Sequence, residues 1–436
     1  MKPRPPIEQR LGDAGLPPVP RTAWLEIDLD ALRGNLAAIR SMLPAGVRVD
    51  AVVKADAYGH GAGPVARALE AAGADGFCVV TLDEAAELRA AGVRAPILLL
   101  YAIVPALVAE ASRLDVALTV ADDDILRATL DAVGRAWAAG DLGGETVALH
   151  LQVETGLGRD GVLPAAAAAA AQAIEATRGA RFAGFWTHLA APGDRLLSAA
   201  QARALDAAGR LVEAAGLTLP RRHLAASGAV LEASAPGLDG VRVGIALCGL
   251  APDTVAASGT AGRWAALLRP ALSLHARPTR VVDLPTGHGI GYGPAFTTTR
   301  PSRIATLPLG YGDGYSRELA TGTVLVRGHR APIVGRISMD SLTVDVTDVP
   351  GRPVTVDDEF TLLGRQGRAV IDVAELAARR DTIVYEVVCS FARRLTRVYH
   401  ASAGAEGIRT LTGEDRPRHG SSSPTATSAT GRSARS

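Results

Sequence analysis

Short apolar runs alternate with helical patterns over residues 21–262. Alanine-rich segments, in which apolar residues recur at helical spacing, separate most of the runs. The eight runs are AVV (51–53), FCVV (77–80), ILLLY (97–101), VALTV (116–120), VALHLQVE (147–154), FAGFWTHL (182–189), RHLAAS (222–227) and VRVGIAL (241–247). Eight strands separated by helices are typical of a (β/α)8 barrel of the TIM type, which we predict for this region. A doubly wound open sheet is the competing interpretation.

A second pattern occupies residues 263–402. Segments such as SRIATLPLG (302–310) and GTVLVRG (322–328) alternate apolar and polar residues between Gly, Pro and Asp. This period of two predicts a mostly antiparallel β-domain, interrupted by one helix at 371–380. The segment 22–30 is also strand-like, and it either precedes the barrel or pairs with the β-domain.

Both ends of the chain are predicted to be disordered. Residues 1–20 are Pro-rich and lack the apolar core of a signal peptide. Residues 403–436 are rich in Ser, Thr, Arg and Pro, and contain too few apolar residues for their burial to offset the conformational entropy lost on ordering. No apolar run reaches the roughly 18–20 residues that span a bilayer. We therefore expect a cytoplasmic protein with no membrane partner.

Composition narrows the function classes further. The 436 residues are 48% hydrophobic and carry a net charge of only +1. The protein therefore has no strong electrostatic field that would attract nucleic acid or a membrane surface, and we expect neither as a partner. The three cysteines, Cys78, Cys248 and Cys389, lie far apart and outside any CxxC or Cys/His cluster. Neither a disulfide framework nor a metal site is predicted.

The candidate chemistry lies where the apolar runs end, because barrel enzymes build their sites at the C-terminal ends of the strands. Lys54 ends the first run, and Tyr58 follows one turn later. The later runs bring further polar residues to the same rim: Arg159, His188, Ser227 and Arg242. The hydroxyls of Tyr58 and Ser227, with the N–H groups of Gly244 and Ile245, form a plausible cup for a phosphate dianion. A buried lysine beside such a cup suits a pyridoxal-phosphate enzyme.

The chain resembles the alanine racemases, a family of fold-type III pyridoxal-phosphate enzymes. The resemblance covers about residues 22–400 and rests on nine motifs in the family's order. These are AVVKADAYGHG, TGLGRDGV, THLA, HLAASGAV, VRVGIALCG, GIGYGPAF, LPLGYGDGYSR, GRISMD and TIVYEVV. It implies interconversion of L- and D-alanine, which supplies D-alanine for peptidoglycan, with pyridoxal 5'-phosphate as the cofactor and an amino acid as the substrate.

The resemblance also implies the catalytic roles. Lys54 would hold the cofactor covalently and act as one base, while Tyr292 would act as the base on the opposite face. Tyr292 would reach into the site of a partner subunit in a homodimer. Arg242 would face the pyridine nitrogen, and His188 would support the site around Arg242. Arg159 would orient both Tyr292 and the substrate carboxylate.

The remaining implied roles concern binding. Met339 would contact the substrate carboxylate through its backbone, and Tyr311 would line the entrance. The phosphate would be bound by Tyr58, Ser227, Gly244, Ile245 and Tyr385. His60 and His223 are interpreted as structural.

The segment LQVETG departs from the family pattern. Gln152 stands where many members have a lysine that is often carbamylated, and Glu154 replaces an aspartate. We expect no carbamylation, and we expect the amide oxygen of Gln152 to hold Arg159 instead. Leu157 replaces a frequent methionine, which nearly conserves volume.

Other functions compete with alanine racemisation. A racemase of serine or of a broader range of amino acids stays open. Decarboxylases on the same barrel carry an acidic partner after a C-terminal cysteine, which VVCSFARRL lacks. Metal-assisted lyases need a His/Cys pair near the C-terminus, and none occurs there. A non-enzymatic cofactor carrier would consist of a barrel alone, without the β-domain that bears Tyr292.

Overall fold

The computed structural model describes residues 5–234, 238–293 and 295–417. The strands in these ranges are β1 (Ala23–Asp28), β2 (Arg48–Val52), β3 (Gly76–Val79), β4 (Ile97–Leu99), β5 (Val116–Val120), β6 (Val147–Gln152), β7 (Ala180–Trp186), β8 (Arg221–Ala226), β9 (Gly240–Val243), β10 (Leu272–Ala276), β11 (Arg280–Leu284), β12 (Gly289–Ile290), β13 (Phe296–Thr297), β14 (Ser302–Leu307), β15 (Thr323–Val326), β16 (His329–Val334), β17 (Leu342–Asp345), β18 (Phe360–Gln366), β19 (Ala369–Ile371), β20 (Thr396–Ala401), β21 (Gly404–Thr410) and β22 (Gly413–Asp415).

The helices alternate with the first nine strands and become sparse afterwards. They are α1 (Ile7–Asp13), α2 (Leu29–Ser41), α3 (Lys54–Tyr58), α4 (Ala62–Ala71), α5 (Leu82–Ala90), α6 (Val108–Arg113), α7 (Asp123–Ala139), α8 (Ala167–Ala176), α9 (Arg195–Ala214), α10 (Ser227–Glu232), α11 (Gly259–Ala265), α12 (Val373–Arg379) and α13 (Val384–Cys389). In the described part of the chain, no helix has both the length and the apolarity to cross a membrane.

Strands β2 to β9 form the predicted barrel. Each strand pairs in parallel with the next, and β9 closes the barrel by pairing with β2, where Val49 lies opposite Val241. Most positions in these strands are apolar because helices cover their outer face; β3, for example, is buried at every position. Closure confirms the (β/α)8 barrel and excludes the open sheet.

The second domain is built on one large, mostly antiparallel sheet. Its main order is β11-β14-β17-β16-β15-β18-β10-β1-β20-β21-β22. The period-two pattern is visible in β17, where Leu342 and Val344 are buried while Thr343 and Asp345 are half-buried. The N-terminal strand β1 lies in this sheet, antiparallel to β10 and parallel to β20, and not in the barrel.

Residues 5–20 are ordered, which corrects the prediction of disorder for this part of residues 1–20; residues 1–4 lie outside the described residues. Helix α1 places Ile7 and Leu11 in a small core together with Leu16 and Trp24. Arg10 reinforces this contact with two bonds to the buried carboxylate of Glu26, at 2.5 and 3.1 Å. Apolar residues at i and i+4 therefore order a segment whose prolines suggested disorder.

The prediction of disorder after residue 402 is also wrong where the structure describes this segment. Strands β21 and β22 form a hairpin that extends the sheet beyond β20, and Ile408 is fully buried. Pairing of the backbone with β20 orders this polar, glycine-rich segment. The rest of the predicted tail, residues 418–436, lies outside the described residues.

Candidate active site

A cavity of about 300 Å³ opens at the C-terminal ends of the barrel strands. It collects nine of the twelve side chains and backbone positions that the sequence nominated. These are Lys54, Tyr58, Arg159, His188, Ser227, Arg242, Gly244, Ile245 and Tyr385. Eight come from the barrel and its loops, whereas Tyr385 comes from α13 of the second domain. Sequence reasoning predicted only one helix in that domain, so α13 is an addition to the predicted fold.

Lys54 begins α3, and only Val53 separates it from the end of β2. Burial is the main cause that lowers the pKa of its ammonium, and the nearby positive charge of Arg159 lowers it further. A lowered pKa increases the fraction of neutral amine, which is the form that attacks a carbonyl or accepts a proton. The position and electrostatics of Lys54 therefore suit a nucleophile or base.

Tyr58, Ser227 and Gly244 line the cavity together with Lys54 and pack closely against one another. A Cβ atom added to Gly244 would lie only 2.2 Å from the hydroxyl oxygen of Tyr58, so this close approach requires glycine. The hydroxyl oxygen of Ser227 accepts from the N–H of Gly244 at 3.1 Å and from that of Ala246 at 3.4 Å. The loop after β9 and the start of α10 are thereby fixed around one small space.

Two tyrosines that line the cavity are in contact through their rings. The rings of Tyr58 and Tyr385 pack edge to face with centroids 6.0 Å apart. Burial raises the pKa of Tyr58 well above its usual value and that of Tyr385 to about 12. Both hydroxyls therefore keep their protons and can donate to an anion. With Ser227 and the backbone around Gly244, this donor set fits the phosphate group of pyridoxal phosphate.

Arg242 is 2% exposed and carries a charge in the middle of the site. Its guanidinium donates to Nδ1 of His223 at 2.5 Å, to Nδ1 of His188 at 3.2 Å and to the carbonyl oxygen of Thr187 at 3.0 Å. Burial lowers the pKa of Arg242 to about 10, so the group is still charged at neutral pH. Burial, followed by the charge of Arg242, lowers the pKa of both histidines, which leaves neutral rings as acceptors.

Sequence reasoning missed two residues around Arg242. Trp186 lies beneath the guanidinium, 4.4 Å from its carbon, and stacks on His223 with an angle of 14° between the rings. The interpretation of His223 as merely structural is corrected, since it holds Arg242 directly. One signal was available: Trp186 precedes His188 by two residues, and this spacing places both on the same side of a strand.

The loop after β6 positions Arg159, but not in the expected way. The amide nitrogen of Gln152 donates to the carbonyl oxygen of Asp160 at 3.1 Å. Arg159 itself lies over the ring of Tyr101, 5.4 Å from the centroid, and 3.4 Å from the carboxylate of Asp160. The expectation that Gln152 holds Arg159 is therefore wrong: its short neutral side chain reaches only the backbone of the loop.

Tyr292, Tyr311 and Met339 are absent from the cavity that contains Lys54. All three line one hollow on the second domain, and Tyr292 is 77% exposed. Sequence reasoning missed the residue that holds this hollow together. Buried Asp313 accepts from the backbone N–H of Gly310, and its carboxylate also pairs with two arginines, Arg21 and Arg394.

Comparisons with known proteins agree with this architecture. Residues 27–252 match the alanine racemase N-terminal domain, and residues 271–399 match the alanine racemase C-terminal domain. The chain is 40% identical over 386 residues to an alanine racemase of Desulfovibrio desulfuricans, covering 87% of this chain and 98% of that protein. A relative from Symbiobacterium thermophilum is also 40% identical, over 87% of this chain and 97% of its own length.

Solved structures give the same result. The alanine racemase of Bacillus anthracis with bound L-Ala-P superposes with a TM-score of 0.82 at 31% identity, covering 91% of this chain and 99% of that one. The enzyme from E. faecalis gives a TM-score of 0.78 at 35% identity, over 87% and 98% of the two chains. Both domains and their order match the family, and the chain belongs to the alanine racemase family.

Proposed function

We propose that this protein interconverts L- and D-alanine with pyridoxal phosphate, by a two-base mechanism in a homodimer, and so supplies D-alanine for peptidoglycan. Members of its family use this cofactor. The observation that carries the proposal is the placement of Lys54, with its lowered pKa, in one cavity with a set of neutral phosphate donors. Tyr292, the second base in this proposal, does not line that cavity and would have to come from a partner subunit.

Inversion at Cα requires that a proton leave from one face and that a proton arrive at the other. When bound, pyridoxal phosphate supplies the electron sink that makes the Cα proton acidic. The amine of Lys54 takes or returns the proton on one face. The phenolic oxygen of Tyr292 of the partner subunit does the same on the other face. Arg159 lies at the edge of the cavity, where it can pair with the substrate carboxylate.

Arg242 would face the ring nitrogen of the cofactor. Since the guanidinium stays charged at neutral pH and is held by neutral partners, it can donate a hydrogen bond but does not give up its proton. The ring nitrogen would then remain unprotonated, which weakens the electron sink. The benefit is fewer protonations at the wrong carbon, and hence less transamination.

A homodimer would bring the two proposed bases together. Tyr292, Tyr311 and Met339 lie on an exposed hollow of the same chain, outside the cavity of Lys54. In a twofold dimer the same surface patch of each subunit faces the other, so each hollow can complete the other subunit's cavity. Exposure of a large tyrosine at 77% is explained if a partner covers it.

Deuterium uptake tests the reaction. Purified protein is incubated with pyridoxal phosphate and L-alanine in heavy water, and Cα deuteration is followed together with optical rotation. Deuteration with loss of rotation supports racemisation. Release of carbon dioxide would instead indicate a decarboxylase, and absence of both would refute an enzymatic role. Parallel reactions with L-serine measure the substrate range.

Mixed dimers test the contribution of the partner. Lys54→Ala removes one base and Tyr292→Phe the other, so each variant alone should lose nearly all turnover. After the two variants are mixed and allowed to exchange subunits, about a quarter of the wild-type sites should reappear, because half of the dimers contain one intact site. Activity that stays at the level of the parent variants would show that both bases act within one chain.

A further inference from the structure

The segment that carries Lys54 and Tyr58 has an unusual backbone. Four consecutive residues other than glycine, from Ala55 to Tyr58, have φ values between 52° and 57°. This is a turn of left-handed helix, which is unfavourable for L-residues because Cβ crowds the following carbonyl oxygen. A conformation of this kind persists only when its surroundings hold it. We call residues 55–58 the left-handed turn.

Contacts from within the barrel hold the two sides of this turn. The carboxylate of Glu84 accepts from the N–H of Ala55 at 2.6 Å and from that of Val80 at 2.8 Å. On the other side, the carboxylate of Asp56 accepts from the N–H of Ala62 at 2.8 Å. The turn is thereby tied to the start of α5 and to the start of α4.

A third contact comes from the far end of the chain. Arg409, on β21, donates to Asp56 at 2.6 Å through Nη1 and to Glu87 at 2.9 Å through Nη2. The Arg409 side chain is 11% exposed and that of Asp56 17% exposed. Burial alone would lower the pKa of Arg409, but the two carboxylates raise it overall. The arginine therefore bridges the left-handed turn and α5 with a permanent charge.

The neighbouring strand β20 makes further contacts with the left-handed turn and with the glycines that follow it. The buried guanidinium of Arg397 donates through Nε to the carbonyl oxygen of Gly59 at 2.9 Å and lies 4.0 Å from the second oxygen of Asp56. The hydroxyl of Tyr399 fills the space beside Gly61, where a Cβ atom would lie 1.9 Å from it. The outer strands of the second domain thus cover the whole segment that follows Lys54.

We propose that Arg409 is a positioning residue for cofactor binding: by holding Asp56 it keeps the left-handed turn in the shape that points Lys54 and Tyr58 into one cavity. The proposal rests on the proposed function for its link to pyridoxal phosphate. It also gives a role to β21, which lies beyond residues 271–399 that match the family's C-terminal domain.

Arg409→Gln tests the proposal, with Arg416→Gln as its matched control. Arg416 follows the same hairpin and pairs with Glu414, but makes no contact with the turn. Loss of a charge-assisted bond should weaken pyridoxal phosphate binding by about tenfold or more in Arg409→Gln and leave it unchanged in the control. Binding is measured by titration of the cofactor-free protein, followed through absorbance of the bound cofactor.

Hydrogen exchange provides a reading that does not depend on the cofactor. In the cofactor-free protein, the amides of Gly59 and Gly61, which bond to Ala55 and Asp56, should exchange faster in Arg409→Gln. Amides of β5 should not change. Arg409→Lys keeps one charge but cannot bridge both carboxylates, so it should restore part of the affinity. If Arg409→Gln folds poorly, Glu87→Gln removes the second carboxylate bound by Arg409 from a half-buried position and should show a smaller shift in the same direction.

Equal cofactor affinity and equal exchange in Arg409→Gln and Arg416→Gln would overturn the proposal. Exchange raised uniformly over the barrel would overturn it as well, because the arginine would then contribute general stability alone. A wild-type protein that binds no pyridoxal phosphate would reject the proposed function. In that case exchange at Gly59 and Gly61 would still decide whether Arg409 holds the turn.

Discussion

Adding a methyl group to Gly244 should damage the cofactor site while leaving the fold in place. In Gly244→Ala the new Cβ lies 2.2 Å from the hydroxyl oxygen of Tyr58 and 2.8 Å from two carbons of its ring. Ordinary contacts begin near 3.4 Å, so the ring or the loop after β9 must yield by about 1.2 Å. Tyr58 is only 7% exposed and has little room to do so.

The expected loss follows from the role of the tyrosine hydroxyl. A hydrogen bond to a charged group contributes about 1.5–3 kcal/mol, so misplacing Tyr58 should weaken pyridoxal phosphate binding roughly ten- to a hundredfold. Overpacking of the loop should also lower the free energy of unfolding of the cofactor-free protein by about 1–3 kcal/mol. The two effects are separate and can be measured separately.

The assay is a titration of cofactor-free protein with pyridoxal phosphate, together with denaturant unfolding. Gly240→Ala is the control, because Gly240 begins β9, which ends just before Gly244, and a Cβ there meets Arg48 at an ordinary 3.5 Å. In a Tyr58→Phe background, Gly244→Ala should cost less, since the nearest atom is gone. Wild-type affinity in Gly244→Ala alone would refute the reasoning.

Three further predictions concern stability and chemistry. Arg10→Ala should lower the free energy of unfolding by about 2–3 kcal/mol, as measured by denaturant titration, because the fully buried carboxylate of Glu26 loses its two guanidinium bonds and keeps only weaker contacts such as those with Trp24 and His400. Arg113→Ala, which breaks an exposed pair within one helix, should change it by less than about 0.5 kcal/mol, and equal losses would contradict the argument. Activity should not depend on added bicarbonate, since the amide of Gln152 cannot form a carbamate; stimulation by bicarbonate would contradict this. The free energy of unfolding should fall as pH drops below about 6.5, because burial lowers the pKa of several histidines in the folded state and the unfolded chain then binds more protons. Each such histidine contributes a slope of about 1.4 kcal/mol per pH unit. A free energy of unfolding that does not change between about pH 6.5 and 4 would be incompatible with neutral buried rings. The pKa is lowered for His60 (to about 4), for His150 and His188 (to about 3) and, well below its usual value, for His223.

The barrel and most of its site were predictable from local patterns. A parallel strand is buried on both faces, so it is read as a short apolar run, and the residue that ends it lies at the rim. Lys54 and Arg242 were found in this way, and both line the cavity. The fold of the second domain was equally visible in the alternation of strands such as β17.

The incorrect and missing predictions have physical causes that cannot be recognised in a single sequence. Ile7 and Leu11 looked like isolated apolar residues in a Pro-rich segment, because their partner Ile408 lies some 400 residues away. The role of Trp186 was hidden because a tryptophan within an apolar strand is usually core. Gln152 was assigned the wrong partner because spacing alone does not tell how far a side chain reaches across a loop.

The position of β1 has a consequence for how the chain folds during synthesis. Its two neighbours in the sheet, β10 and β20, are made much later, and β20 begins 368 residues after β1 ends. At typical translation rates this delay is about 20–70 s. Throughout that time an apolar strand has an unpaired edge while the barrel beside it can already close. The nascent chain therefore exposes, near its N-terminus, a strand edge on which other chains can aggregate. We expect chaperone binding or low temperature during expression to improve the yield of folded protein.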